Sequence, residues 1–128
     1  MLELARQHAL GRIQFGRPIS SFQAIRHRLA DTLVAIGMAE AILDAAWLDA
    51  TPGSAAMAKA VAGRAAHTTV RHCQQVLAGI GFTTEHRLHL YVRRTLLLDG
   101  LFGTSVALTR ALGEETVKAA QLPPLLPL

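Results

Sequence analysis

The stretch FQAIRHRLADTLVAIGMAEAILDAAWLDA, residues 22–50, decides the fold. Within it Phe22, Ile25, Leu29, Leu33, Ile36, Ala39, Leu43, Trp47 and Ala50 recur every three or four residues, the repeat that lays apolar side chains along one helix face. Ser20 and Gln23 make a capping-box pattern at its start, and Thr51-Pro52-Gly53 stops it. At about 1.5 Å per residue the helix would be about 45 Å long, more than a compact domain of this size needs. Such a helix requires others of similar length beside it. The pattern therefore predicts an all-α protein, an antiparallel up-and-down four-helix bundle.

Working outward, Leu2, Ala5, Ala9 and Ile13 predict a helix from Met1 to about Ile13. No capping residue precedes it, as expected of a helix that began further upstream. On the other side Ser54 is placed to cap a helix whose inward stripe is small: Ala58, Ala62, Ala65, Thr69, Cys73, Val76. Small residues let helix backbones approach closely. Ala78-Gly79-Ile80-Gly81 breaks that helix, Thr84 is placed to cap a shorter one through Leu88, Val92, Thr95 and Leu98, and Asp99-Gly100 ends it. A last helix takes Ser105, Leu108 and Leu112 before LPPLLPL at 122–128 abandons helix. The expected organisation is a bundle domain over 1–121 and an apolar tail over 122–128 that docks on another subunit.

Composition narrows the function classes. A chain of 128 residues forms one domain, and its 51% apolar but only 5% aromatic content favours closely packed helices over sheet. The single cysteine, Cys73, excludes an internal disulfide framework, and no charged-then-apolar leader is visible, so the cytoplasm is the expected compartment. The nearly uncharged run Thr95–Thr109 is too short to span a bilayer, so no membrane association is expected. The net charge of +4 could suit nucleic acid, but the basic residues are scattered and lack interleaved aromatics, so no nucleic-acid partner is expected; a smaller polyanion, such as a cofactor with phosphates, fits the balance equally well.

No P-loop, H-E-x-x-H, G-x-S-x-G or paired C-x-x-C motif is present. His86 and His89 lie on one helix face, but Glu85, Arg87 and Arg93 around them indicate a solvated surface, and His67, His72 and Cys73 have no better claim, so no metal site is expected. The segment with most chemical content is GRIQFGRPISSFQ, residues 11–23. It offers the Arg12 guanidinium, the Gln14 amide, a glycine-containing backbone and a following helix start, which together outline an anion site. A plain alternative keeps Arg12 as a charge at a helix C-terminus and Gln23 as a capping partner.

This segment resembles the R-x-Q-F-G-x-P-I-x-x-F-Q passage of the acyl-CoA dehydrogenase family, where it opens the longest helix of the C-terminal domain and reaches the flavin of a neighbouring subunit. A second segment, QVLAGIGFTTE at 75–85, resembles the family's Q-x-x-G-G-x-G-x-x-x-E passage, and Arg93 followed by Gly103-Thr104-Ser105 resembles its R-D segment and E-G-T-S turn. The matches run from about Ala9 to Arg110. The resemblance implies a helical C-terminal domain that builds the tetramer core and contacts FAD. On that basis Arg12 would neutralise the pyrophosphate of an adjacent subunit's FAD, and Gln14, Phe15 and Gln23 would line its adenosine half. Gln75 and Gly79 would meet the ADP portion, and Thr104 would lie near the phosphates or ribityl chain.

Departures from the family pattern matter as much. Where many members carry the glutamate that removes the α-proton of an acyl thioester, this chain has Phe102, which cannot accept a proton. Val106, Ala78 and Arg94 also replace family residues near the site. The resemblance thus implies no catalytic residue here. It implies instead a domain of an acyl-CoA α,β-dehydrogenase that contributes FAD contacts and an interface with other subunits of a dimer or tetramer, homomeric or mixed. The rival expectation is a helical oligomerisation module with no cofactor.

Overall fold

The computed structural model describes residues 1–120, so the tail expected at 122–128 and the end of the 1–121 domain lie outside the described residues. Among the described residues five helices form: α1 (Leu2–Gly11), α2 (Gln23–Asp49), α3 (Pro52–Leu77), α4 (Leu88–Gly100) and α5 (Ser105–Ala119). Between α1 and α2 stands a short hairpin, β1 (Ile13–Gln14) and β2 (Arg17–Pro18), with Ile13 opposite Pro18 and Gln14 opposite Arg17. The first helix therefore ends before Ile13, which joins the hairpin.

The four columns of the bundle are α1, α2, α3 and the α4–α5 succession, with α3 in contact with all the others. α1 and α3 run the same way: Met1 and Leu2 lie beside Ala62, Ala65 and Thr69, while Ala9 packs with Cys73 and Val76. α2 is antiparallel to α3, as the two-residue connection at 50–51 and the pairing of Thr32 with His72 together fix. α4 returns along α3 from Leu88, near Gly81, to Asp99, beside His67 and Gly63. Small side chains make this possible. Ala58, Ala60, Gly63, Ala65, Thr69 and Cys73 of α3 are all buried, so neighbouring backbones can close on it from several sides. Of the expected stripe on this helix only Ala62 is exposed, on the rim of a groove between α1, α2 and α3.

α2 departs most from expectation. Phe22, Ile25, Leu29, Ile36 and Ala39 are partly buried, but Leu33, Leu43, Trp47 and Ala50 are exposed, Trp47 at 76%. The one fully buried residue on α2 is the polar Thr32. Its hydroxyl donates to the Arg28 carbonyl at 2.7 Å, and His72 Nδ1 lies 3.0 Å from the hydroxyl oxygen and 3.1 Å from the same carbonyl. Because the hydroxyl proton is committed, Nδ1 must carry a hydrogen and donate to both oxygens. A helix apolar around most of its circumference leaves its inward face undecided by periodicity, and this polar contact selects it.

Helix ends also differ from the sequence reading. Ser20 lies in a 3₁₀ turn and the N-cap of α2 is Phe22, with no side-chain bond. Thr51, not Ser54, caps α3: Thr51 Oγ1 accepts the Ser54 amide at 3.1 Å and Ser54 Oγ accepts the Thr51 amide at 3.1 Å, with Pro52 at the first helical position. Thr84 does not cap α4, which starts four residues later after Arg87 without a side-chain cap. Leu88–Ala119 as one stretch is long and apolar enough to cross a membrane. The bend at 101–104 divides it into helices of 13 and 15 residues.

Candidate functional site

The hairpin carries the residues singled out first. Phe15 (φ 54) and Gly16 (φ 76) are its two central residues, and left-handed backbone at both is the mark of a type I′ turn. Glycine takes that conformation freely, whereas phenylalanine there is an outlier. Its ring is 91% exposed, so the turn raises a large apolar group into solvent. Phe15 meets the Phe22 ring edge-on at 6.1 Å between centroids, and the Arg17 guanidinium lies 4.4 Å from the centroid of Phe22. Edge-to-face and cation–π contacts of this kind stiffen the hairpin.

Arg12 is extended at the end of α1, its amide bonded to the His8 carbonyl at 2.8 Å and its carbonyl accepting from Ile19 at 2.9 Å. Its side chain is exposed, and among the described residues no carboxylate reaches ion-pair distance of Arg12 or Arg17. Gln14 and Gln23 are exposed as well, so Arg12, Gln14 and Phe15 stand on or beside the hairpin and Gln23 opens α2 just after it. Arg17 and Phe22 belong to the same group; from the sequence Arg17 had no assigned role and Phe22 was read only as part of the apolar stripe of α2. Phe-Gly is not among the residue pairs that announce a two-residue hairpin, so the turn left little signal in the sequence.

The second motif lies at the same end of the bundle. Ala5, Ala9 and Ile19 share one buried cluster with Cys73, Val76, Leu77 and Leu88, tying the base of the hairpin to the end of α3 and the start of α4. His8 feels this crowding: burial, then the Arg12 guanidinium, then His86 hold its pKa below 6.5. Gln75 is exposed on α3, in a groove of about 740 Å³ shared with Arg64, His67, Arg71 and Phe82 and with no hairpin residue. Within one chain, Arg12 and Gln75 thus share an end of the bundle without lining one groove.

Gly79 is exposed in the 3₁₀ turn Ala78–Phe82, and a Cβ there would meet nothing within 4 Å. Among the described residues no contact requires glycine at this position. Gly81 is the constrained one, since a Cβ would lie 2.9 Å from Leu77 Cβ. Thr104 stands apart: it caps α5, accepting the Ala107 amide at 3.2 Å, beside Gly63 and about 18 Å along α3 from Gln75 at about 1.5 Å per residue. Its hydroxyl proton stays available to a ligand. Phe102 is 94% exposed on the preceding turn at φ 57.

Among the described residues no three metal-ligating side chains gather. His86 Nδ1 accepts the Leu88 amide at 3.2 Å, His89 Nδ1 lies 2.8 Å from the His86 carbonyl, and His67 pairs with Asp99 at 3.2 Å.

Comparison with known proteins matches this arrangement. Residues 1–116 match the family model of the acyl-CoA dehydrogenase C-terminal domain. The chain is 44% identical to acyl-CoA dehydrogenase IpdE2 of Mycobacterium tuberculosis over 73% of its own length, and 39% identical to acyl-CoA dehydrogenase FadE34 of the same organism over 96%. It spans only 29% and 20% of those two proteins. Among solved structures it superposes on the ChsE4-ChsE5 complex from Mycobacterium tuberculosis with a TM-score of 0.80 at 31% identity, covering 96% of this chain and 34% of that one. On a glutaryl-coenzyme A dehydrogenase it reaches a TM-score of 0.84 at 22% identity, covering 91% of this chain and 31% of the other, a likeness of fold. With the bundle, the hairpin and the three loop segments in the expected order, this chain belongs to the acyl-CoA dehydrogenase family, as its helical C-terminal domain.

Proposed function

We propose that this domain serves an FAD-dependent acyl-CoA dehydrogenase, contributing FAD contacts and a subunit interface while lacking the usual catalytic glutamate. The observation that carries the reading is the stiffened hairpin end, where an exposed aromatic and two guanidiniums without carboxylate partners among the described residues face outward. These residues fit a dinucleotide in kind. The planar guanidinium of Arg12 suits a pyrophosphate bidentately. Gln14 and Gln23 offer free amides, and the open backbone at Gly79 allows close approach by an outside group. When bound, FAD supplies the hydride acceptor for acyl-CoA α,β-dehydrogenation.

Gln75 and Gly79 would hold the ADP portion, and Thr104, with a free hydroxyl proton, would serve near the phosphates. Phe102 cannot take a proton from a thioester, so a general base would come from elsewhere in the longer protein or from a partner subunit. The separation of Gln75 from both Arg12 and Thr104 is best met if more than one subunit contributes to each FAD. Exposed Leu33, Val34, Met38, Trp47 and Leu48 on α2 supply an apolar surface of the kind that subunit interfaces bury. We place the assembly, homomeric or mixed, in the cytoplasm.

Arg12→Ala in the intact assembly tests the reading. FAD retained after gel filtration should fall at least tenfold, as for loss of a charged hydrogen bond of about 1.5–3 kcal/mol. Undiminished flavin content in the variant, or a wild-type assembly that neither carries FAD nor gains thermal stability from it, refutes the assignment and leaves the oligomerisation module.

A further inference from the structure

The connection between α4 and α5 is held from α3 by polar groups that the proposed function leaves unused. Lys59 donates from Nζ to the carbonyl oxygens of Asp99 at 3.1 Å and Gly103 at 3.3 Å, so one ammonium spans the connection. The Asp99 carboxylate lies 3.9 Å from the same ammonium, meets His67 Nε2 at 3.2 Å and accepts the Ser105 amide at 3.1 Å. Gly63 lies beneath. A Cβ on it would collide with the Asp99 carboxylate and lie 2.7 Å from Ser105 Cβ, so only glycine lets the clamp seat this closely.

Within the clamped connection, Phe102 (φ 57) and Gly103 (φ 99) are consecutive left-handed residues. A bulky side chain holds that conformation only where its surroundings over-determine it. Yet Leu101, Phe102, Gly103 and Thr104 are all exposed, and Phe102 is almost fully so. The Asp99 side chain, by contrast, is only 13% exposed. A largely buried charged clamp thus fixes a turn whose own side chains bury little inside the chain, which is the arrangement needed when they must stand in set positions for something outside it.

We propose that Lys59 and Asp99 are positioning residues, locking the Leu101–Thr104 turn so that Phe102 and Thr104 keep a fixed place at the flavin-containing site. This rests on the function proposed above. In the family pattern the turn carries a proton acceptor; here the same preorganisation presents a phenyl ring and the Thr104 hydroxyl. Lys59 reaches two backbone carbonyls, so the clamp sets backbone position whatever side chain occupies 102.

The test compares Lys59→Met, Lys59→Arg and Asp99→Asn with wild type in the intact assembly, by hydrogen exchange and by visible circular dichroism of bound FAD. Lys59→Met and Asp99→Asn should speed exchange of the Ser105 amide at least tenfold, leave the Cys73–Leu77 amides unchanged and alter the flavin band, with Lys59→Arg closer to wild type in both. Unchanged Ser105 exchange overturns the proposal, as does exchange that rises equally in Cys73–Leu77, which signals general destabilisation. A loosened turn with an unaltered flavin band overturns the positioning role. If the wild-type assembly holds no FAD, the proposed function fails by that fact. The exchange arm then decides the clamp alone: faster Ser105 exchange upholds it and unchanged exchange removes it.

Discussion

Two glycines inside long helices should respond to the same substitution with opposite signs. Gly37 in α2 has nothing within 4 Å of a built Cβ, so Gly37→Ala should stabilise the chain by about 1 kcal/mol through helix propensity alone. Gly63 in α3 offers the same propensity gain, but its Cβ would strike the Asp99 carboxylate and approach Ser105 Cβ to 2.7 Å. Overpacking of this kind costs about 1–3 kcal/mol, and displacing Asp99 from the Ser105 amide removes a charged hydrogen bond of about 1.5–3 kcal/mol. After the propensity gain of about 1 kcal/mol, the net loss is about 1.5–5 kcal/mol. For a domain of this size 1 kcal/mol moves Tm by about 4 °C. Calorimetry should therefore find Gly37→Ala about 4 °C above wild type and Gly63→Ala about 6–20 °C below it. Gly63→Ala with a Tm at or above wild type would refute the close seating of α4–α5 on α3.

Three further outcomes follow from buried or crowded ionisable groups. Cys73 is fully buried and burial pushes its thiol pKa up, so the native protein should resist thiol reagents and react only on unfolding; stoichiometric labelling of the native state within minutes would contradict this. His8 is held below 6.5 by burial, Arg12 and His86, so the folded state favours its neutral form. The stability it contributes is present above pH 6.5 and is lost as pH falls below that value, so Tm should drop on acidification, and His8→Gln should flatten the drop. Asp99 behaves alike at lower pH: burial opposes its charge, but His67 and the Ser105 amide and hydroxyl outweigh burial and keep its pKa below 3.8. Its contribution should vanish only as pH falls below about 4, and a loss that is complete by pH 5 would contradict the assignment.

What could be read along the chain was local. The small stripe on α3, the stop at Thr51-Pro52-Gly53 and the end of α4 at Asp99-Gly100 all stand where the sequence placed them, because spacing, Pro and Gly act through neighbouring backbone. The hairpin was missed, since its Phe-Gly turn depends on phenylalanine adopting a conformation it rarely takes. Ser20 and Thr84 look like caps by pattern but are not the N-caps of α2 and α4. In each case a turn intervenes before the helix, the 3₁₀ turn that begins with buried Ile19 in one and residues 85–87 ahead of buried Leu88 in the other.

The order of amino acids settled by itself that this is a helical bundle with two glycine-containing loops of family type, because both properties are written in short-range spacing. Which face of α2 turns inward, that both loops gather at one end, and that Lys59, Gly63, His67, Asp99 and Ser105 meet around one turn were decided only by tertiary packing. Lys59 and Asp99 lie forty residues apart on antiparallel helices, and no periodicity within either helix records that partnership.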